Sequence, residues 1–194
     1  MIEEVKKHLK QGGYTIAMLE KHAECSDPFE LVASIPHVEE VRSKNTAFHL
    51  YERAYHVFGE ANRVHRFRAI CEDSSIEENA KVEQLGKLMN ESHTSCDMLY
   101  DCSSPELNEL TTMARKAGAL GSRLTGAGWG GCCVSLVRRS ELPTFVPRLM
   151  DYYTQEREPG QQLWVTEDLE RYIFATNPGQ GACVLNPEYC DFYL

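Results

Sequence analysis

Apolar residues recur at spacings of three and four over Ala47, Leu50, Ala54, Val57, Ala61 and Val64, with Phe58 and Phe67 widening the stripe. That rhythm predicts a long amphipathic helix from Thr46 to about Cys71, roughly 39 Å at 1.5 Å per residue. Arg53, Glu60, Arg63, Arg66 and Arg68 fall on the other side, a basic face that could meet phosphates, although charges at that spacing more often make a solvated face. A second helix is expected from about Glu78 to Tyr100 through Val82, Leu85, Met89, Ser92, Cys96 and Leu99. Its stripe turns small and polar towards the C-terminus, which suits close helix packing as well as a ligand. Ser104-Pro105-Glu106 then opens a third helix, with Ser104 as N-cap and Pro105 in the first turn. Leu107, Leu110, Met113, Ala114 and Ala117 form its inner face, and Gly118 is a natural stop.

After Gly118 the period changes to two. Cys132, Val134 and Leu136 alternate with Cys133, Ser135 and Val137, which predicts a strand. Helix returns from Glu141 to about Glu156, with Phe145, Leu149 and Tyr152 on one side. Tyr172–Thr176 and Ala182–Leu185 are two more strand candidates, joined by the turn residues Asn177-Pro178-Gly179-Gln180-Gly181. The expected fold is α+β, a four-stranded antiparallel sheet with helices on one face. The first stretch is less regular. Residues 1–45 read as a helical lead-in, with a short amphipathic turn at Ile2, Val5 and Leu9, a break at Gly12-Gly13 and a further short helix over Tyr14–Ala23. Residues 46–194 read as the main domain.

Composition narrows the function. Among 194 residues, 20 Lys and Arg stand against 29 Asp and Glu, a net charge of −9, which disfavours a general nucleic-acid binder. No apolar run approaches the ~20 residues of a membrane helix, and Met1–Gly13 has no apolar core of a signal peptide. The eight cysteines are scattered without Cys-x-x-Cys pairs or histidines at zinc spacing, so no metal site is expected and reduced thiols in the cytoplasm are.

One motif is dense: Gly121-Ser122-Arg123-Leu124-Thr125-Gly126-Ala127-Gly128-Trp129-Gly130-Gly131-Cys132. Gly126, Gly128 and Gly131 satisfy G-x-G-x-x-G, but the dinucleotide form needs a following helix, and here a strand follows. A Walker loop is excluded, because no Gly-Lys-Ser/Thr occurs. What remains is a glycine-rich connection between strands, able to let backbone approach a second group and to aim N–H groups at an anion or at a neighbouring loop. Arg123 could face phosphate or pair with a carboxylate. Ser122 and Thr125 could donate to a nucleotide or cap local backbone.

This stretch, with Met89-Asn90-Glu91-Ser92-His93-x-Ser95 and Cys102-Ser103-Ser104-Pro105-Glu106-Leu107 before it, resembles the C-terminal half of galactokinase-type sugar kinases of the GHMP superfamily. The likeness runs from about Leu50 to Leu185. Ala127 and Trp129 make the loop more similar to N-acetylgalactosamine kinases than to galactokinases, which tend to carry Gly and Phe there. The resemblance implies a C-terminal-type lobe whose loop, Ser122, Arg123, Thr125, Gly126, Ala127, Gly128, Trp129, Gly130 and Gly131, lies beside the nucleotide phosphates, with His93 and Ser95 as possible cleft residues. It implies ATP and Mg²⁺ as cofactors and the 1-hydroxyl of galactose or N-acetylgalactosamine as acceptor. Family members carry their sugar motif, their Ser-rich ATP motif and their catalytic Asp in an N-terminal lobe, and none of these occurs here. The expected consequences are no catalytic residue in this chain, no turnover without that lobe, and self-association through an exposed cleft face. A non-catalytic regulatory or binding module is the alternative. Where relatives have an Arg shortly after Ser-His-x-Ser, this chain reads Cys96-Asp97-Met98.

Overall fold

The computed structural model describes residues 1–22, 47–155, 163–177 and 179. It divides into two compact units, residues 1–149 and 150–194. In the first unit, α1 (Ile2–His8) and α2 (Ile16–His22) precede the long α3 (Leu50–Glu72). An isolated antiparallel bridge joins Tyr14 to Phe48, the Gly12 N–H donates to Glu52 Oε1 (2.9 Å), and α1 packs on α3.

The predicted face of α3 is only partly the buried one. Val57 and Val64 of the apolar stripe are 51% and 62% exposed, while His56 and Gly59 are the buried residues of the helix. Part of the face expected to be solvated, Arg53, Glu60 and Arg63, is turned inward instead, towards α4 (Glu78–Ser95) and the residues just after it, while Arg66 and Arg68 stay exposed. Arg53 Nη1 donates to the Leu99 carbonyl, His56 Nδ1 lies 2.9 Å from Ser95 Oγ, and Ser92 Oγ donates to Glu60 Oε1 (2.6 Å). Hydrogen bonds between named partners set the docking face here; Val57, Ala61, Val64 and Phe67 of the apolar stripe are left outward, whereas Leu50, Ala54 and Phe58 are half-buried.

The second predicted helix ends early. α4 stops at Ser95, and Cys96–Tyr100 form one wide π-turn. Asp101, at φ +60°, closes that turn in the left-handed conformation, with the Cys102 N–H returning to the Cys96 carbonyl (3.0 Å). Helix α5 (Pro105–Ala117) follows as expected: Ser104 Oγ accepts the Leu107 N–H (3.2 Å), and Gly118 ends the helix at φ +123°.

The sheet is a correction. Among the described residues it has two strands, β1 (Gly121–Thr125) and β2 (Cys132–Leu136), paired antiparallel with Gly121 opposite Leu136 and Thr125 opposite Cys132. Tyr172 closes a short helix, α7 (Thr166–Tyr172), and residues 173–177 carry no strand. Acidic Glu167 and Asp168 in the first turn and Arg171 in the last favour helix there over an edge strand. The Ala182–Leu185 candidate lies outside the described residues. Helix α6 (Leu142–Thr154) buries Phe145 and Leu149. In the second unit, Leu169 is buried and the Trp164 and Tyr172 rings meet edge-on at 5.8 Å.

The core that carries the loop is formed by α4, α5 and β1. Leu88, Leu107, Ala114 and Leu124 are buried there, and Thr111 and Ser122 are fully enclosed. Helix α4 lies so close on β1 that a Cβ on Gly86 would sit 2.6 Å from the Leu120 carbonyl carbon, and one on Gly121 would strike the Gly86 carbonyl. Glycine at both positions permits this approach.

Candidate functional site

The close approach lets α4 side chains serve as a neighbour for one edge of β1. Asn90 Oδ1 accepts the Ser122 N–H (3.0 Å) while its Nδ2 donates to the Leu120 carbonyl (3.1 Å), and His93 Nδ1 accepts the Leu124 N–H (3.3 Å). Gly86, Asn90 and His93 are spaced by four and three, one face of a helix, so this edge is covered without a third strand.

His93 is buried, and its neighbours fix its proton. Because Nδ1 accepts from Leu124, Nε2 carries the hydrogen and donates to Asn108 Oδ1 (3.0 Å). Asn108 also accepts from Ser103 Oγ (2.7 Å) and donates to Asp97 Oδ1 (3.0 Å). Burial lowers the His93 pKa, which keeps the ring neutral. Ser95 is buried as well, and its hydroxyl meets His56, whose pKa burial also lowers.

On the loop's entry strand, Ser122 is fully enclosed, with its hydroxyl 2.9 Å from Ser135 Oγ. Arg123 reaches Glu60 Oε1 (3.2 Å) and donates through Nε to the Leu124 carbonyl (3.0 Å), so of its two sequence readings the carboxylate pair is the one formed. Glu60 also holds Arg63 through Nε (2.8 Å). Burial alone would raise the Glu60 pKa, but the Ser92 hydroxyl and Arg63 hold it below the usual carboxylate value.

The loop itself stands outside this core. Thr125, Gly126, Ala127 and Gly131 are exposed, and Trp129 is 65% exposed. Gly126, Gly128, Gly130 and Gly131 all have φ between +84° and +136°, and Trp129 takes φ +53°. Such a run is open to glycine and strained for any other residue, so Trp129 is held by its surroundings. The Trp129 N–H donates to the Cys102 carbonyl (2.7 Å), and its indole Nε1–H donates to the Asp101 carbonyl (2.9 Å). A Cβ on Gly128 would strike that Cys102 carbonyl.

The structure therefore separates the residues singled out in the sequence. His93, Ser95 and Ser122 are buried in packing and hydrogen bonds, Arg123 is paired, and Thr125 to Gly131 form the accessible surface. Sequence reasoning missed Glu60, Asn90 and Asn108. The Gly86-Asn90-His93 spacing could have signalled Asn90, whereas nothing local marks Glu60 as a partner of a residue 63 positions away. The Trp129 N–H is taken by the Cys102 carbonyl; the accessible glycine backbone around it is of the donor type that suits an anion such as a phosphate. It does not fit a divalent cation, and among the described residues no group of three His, Cys, Asp or Glu side chains stands ready to hold one. Among the same residues no helix is long and apolar enough to cross a membrane.

Comparison with known proteins gives this geometry a context. Residues 75–150 match the family model described as GHMP kinases C terminal. A galactokinase of Dictyostelium discoideum is 42% identical over 154 residues, covering 72% of this chain and 30% of its own length. One from Candida parapsilosis is 33% identical over 193 residues, covering 97% of this chain and 36% of its own length. The chain thus spans about a third of the curated relatives it matches. A solved Lactococcus lactis galactokinase complexed with galactose superposes with a TM-score of 0.46 at 33% identity, over 53% of this chain and 25% of that one.

Proposed function

We propose, from the premise that this chain belongs to the GHMP kinase family through its C-terminal domain, that it is part of the C-terminal lobe of an ATP-dependent sugar kinase. The reaction transfers the γ-phosphoryl of ATP to the 1-hydroxyl of galactose or N-acetylgalactosamine in the cytoplasm, and it requires an N-terminal lobe as partner. The observation that carries this reading is the Gly126–Gly131 loop, left-handed at every residue but Ala127, largely exposed and held on a buried frame.

In phosphoryl transfer the protein contributes position and charge stabilisation more than covalent chemistry. The loop's part is to present backbone N–H groups to the phosphates, with the Thr125 hydroxyl at its entry. Mg²⁺, when bound, would supply neutralisation of phosphate charge, and no described residue of this chain is assigned as its ligand. Arg123, engaged by Glu60, secures the strand root and leaves phosphate neutralisation to other groups. His93, neutral and enclosed, supports β1 and takes no proton from substrate. Neither residue is assigned as a general base, and this reading places activation of the sugar hydroxyl in the N-terminal lobe.

The experiment is complementation. The purified chain with ATP, Mg²⁺ and either sugar is expected to release no ADP above background. Adding the N-terminal portion of a galactokinase is expected to restore release, and the ratio of rates with the two sugars names the acceptor. Turnover by the chain alone would overturn the divided-lobe reading. Capture of the N-terminal portion without turnover under all conditions would favour the regulatory alternative.

A further inference from the structure

Trp129 stands out among the loop residues. It is the one non-glycine residue of the loop with a positive φ, it is 65% exposed, and yet it makes two separate hydrogen bonds to one short segment. Exposed aromatic rings usually gain little by such ties. Here both acceptors are consecutive carbonyls, Asp101 and Cys102, at the exit of the π-turn. That segment is itself fixed from two sides. The Cys102 N–H is bonded back to Cys96, and Arg53 of α3 holds the Leu99 carbonyl and lies 3.6 Å from the Asp101 carboxylate. The left-handed Asp101 that closes the π-turn leaves its carbonyl and the next one both turned to the loop.

We infer that Trp129 is a positioning residue, which locks the glycine loop in one conformation by a two-point dock of its backbone and indole N–H groups on the Asp101 and Cys102 carbonyls. The inference rests on the reading that this loop faces nucleotide phosphates, and it adds the means by which a glycine-rich backbone is kept ordered before nucleotide arrives. Four glycines at positive φ would otherwise sample many conformations, each with its N–H groups aimed elsewhere. Gly128 completes the dock, since any side chain there would push against the Cys102 carbonyl and lift Trp129 away. A Phe at position 129 keeps the ring but has no N–H to give Asp101, so it holds the loop at one point in place of two.

The test needs no nucleotide. In the ¹⁵N-labelled full chain carrying Trp164→Phe, Trp129 is the only tryptophan, and its indole N–H gives one resonance. That indole hydrogen is expected to exchange with water at least about fivefold more slowly than in a free tryptophan peptide, as one net hydrogen bond requires. Trp129→Phe, which keeps the backbone N–H, is expected to speed exchange of the residue-129 amide, the loop N–H bonded to the Cys102 carbonyl, about fivefold, while amides in α5 and the melting temperature stay unchanged. An indole that exchanges at the free rate in the unsubstituted loop overturns the dock without reliance on any variant. Unchanged exchange of that amide in Trp129→Phe overturns it as well. Failure of the nucleotide reading is seen separately, as loop amides that ignore ATP in the assembled kinase while the dock is intact.

Discussion

Arg123 on β1 and Glu60 on α3 are paired at 3.2 Å across 63 residues of chain, with Glu60 also bonded to Ser92 and Arg63. This pair ties the root of the glycine loop to the long helix. Glu60→Ala would leave two half-buried guanidinium groups without their carboxylate. Given the partial exposure of the partners, the expected loss is about 1–2 kcal/mol, measured by chemical denaturation. A variant as stable as the parent would show that the network is solvated and idle.

Gly86→Ala places a methyl group 2.6 Å from the Leu120 carbonyl carbon, where backbone cannot yield easily. Forcing α4 away from β1 also stretches the Asn90 and His93 hydrogen bonds to the strand. A loss of about 2–3 kcal/mol is expected, and Gly59→Ala, also inside a helix but with nothing closer than the Arg63 guanidinium at 3.6 Å, serves as comparison for the backbone term alone. Equal losses at the two sites would remove the close-packing argument.

Acid weakens the fold. His56 and His93 both have folded pKa values below the ordinary value of about 6.5, because burial penalises the charged ring. The unfolded chain therefore binds protons first as pH falls, so stability is full above about pH 6.5 and declines below it towards the lowered folded values. Glu60, also lowered, extends the loss in the same direction at more acidic pH, as the unfolded carboxylate begins to protonate. Denaturation midpoints at pH 7.5 and 5.5 check this, with the lower midpoint expected at 5.5. His93→Gln is expected to be less stable at pH 7.5 and to show a smaller pH slope.

The outward stripe of α3 bears on association. Val57 and Val64 are more than half exposed, so Val57→Gln and Val64→Gln are each expected to change stability by less than about 0.5 kcal/mol. If the chain self-associates through this stripe, sedimentation velocity shows the double variant shifting to monomer. A large loss of stability in either single variant would mean that the stripe is packed.

The sequence was legible where local chemistry decides. The Ser104 cap, the Gly118 stop and the alternating Cys132–Leu136 strand all appear where the pattern puts them. The long helix was legible as an element but not in its orientation. Apolar periodicity marked Val57 and Val64 as inward, whereas the docking of α3 on α4 is decided by Arg53, His56 and Glu60, whose partners lie 32 to 46 residues away. The end of α4 was hidden for a similar reason: Cys96 to Tyr100 keep a helical apolar rhythm, and only the left-handed Asp101 ends it. The four-stranded sheet failed at Tyr172, where a seven-residue acidic-to-basic segment forms helix. In the loop, glycine spacing showed that backbone would be exposed, but the acceptors that hold Trp129 are carbonyls, which carry no sequence signature.

The most direct measurement follows the loop amides while ATP and Mg²⁺ are added to the ¹⁵N-labelled chain assembled with the N-terminal portion of a galactokinase. The account predicts that resonances of residues 125–131 shift saturably with nucleotide, over the same concentration range that supports ADP release. Restored sugar phosphorylation with those resonances unmoved would contradict it.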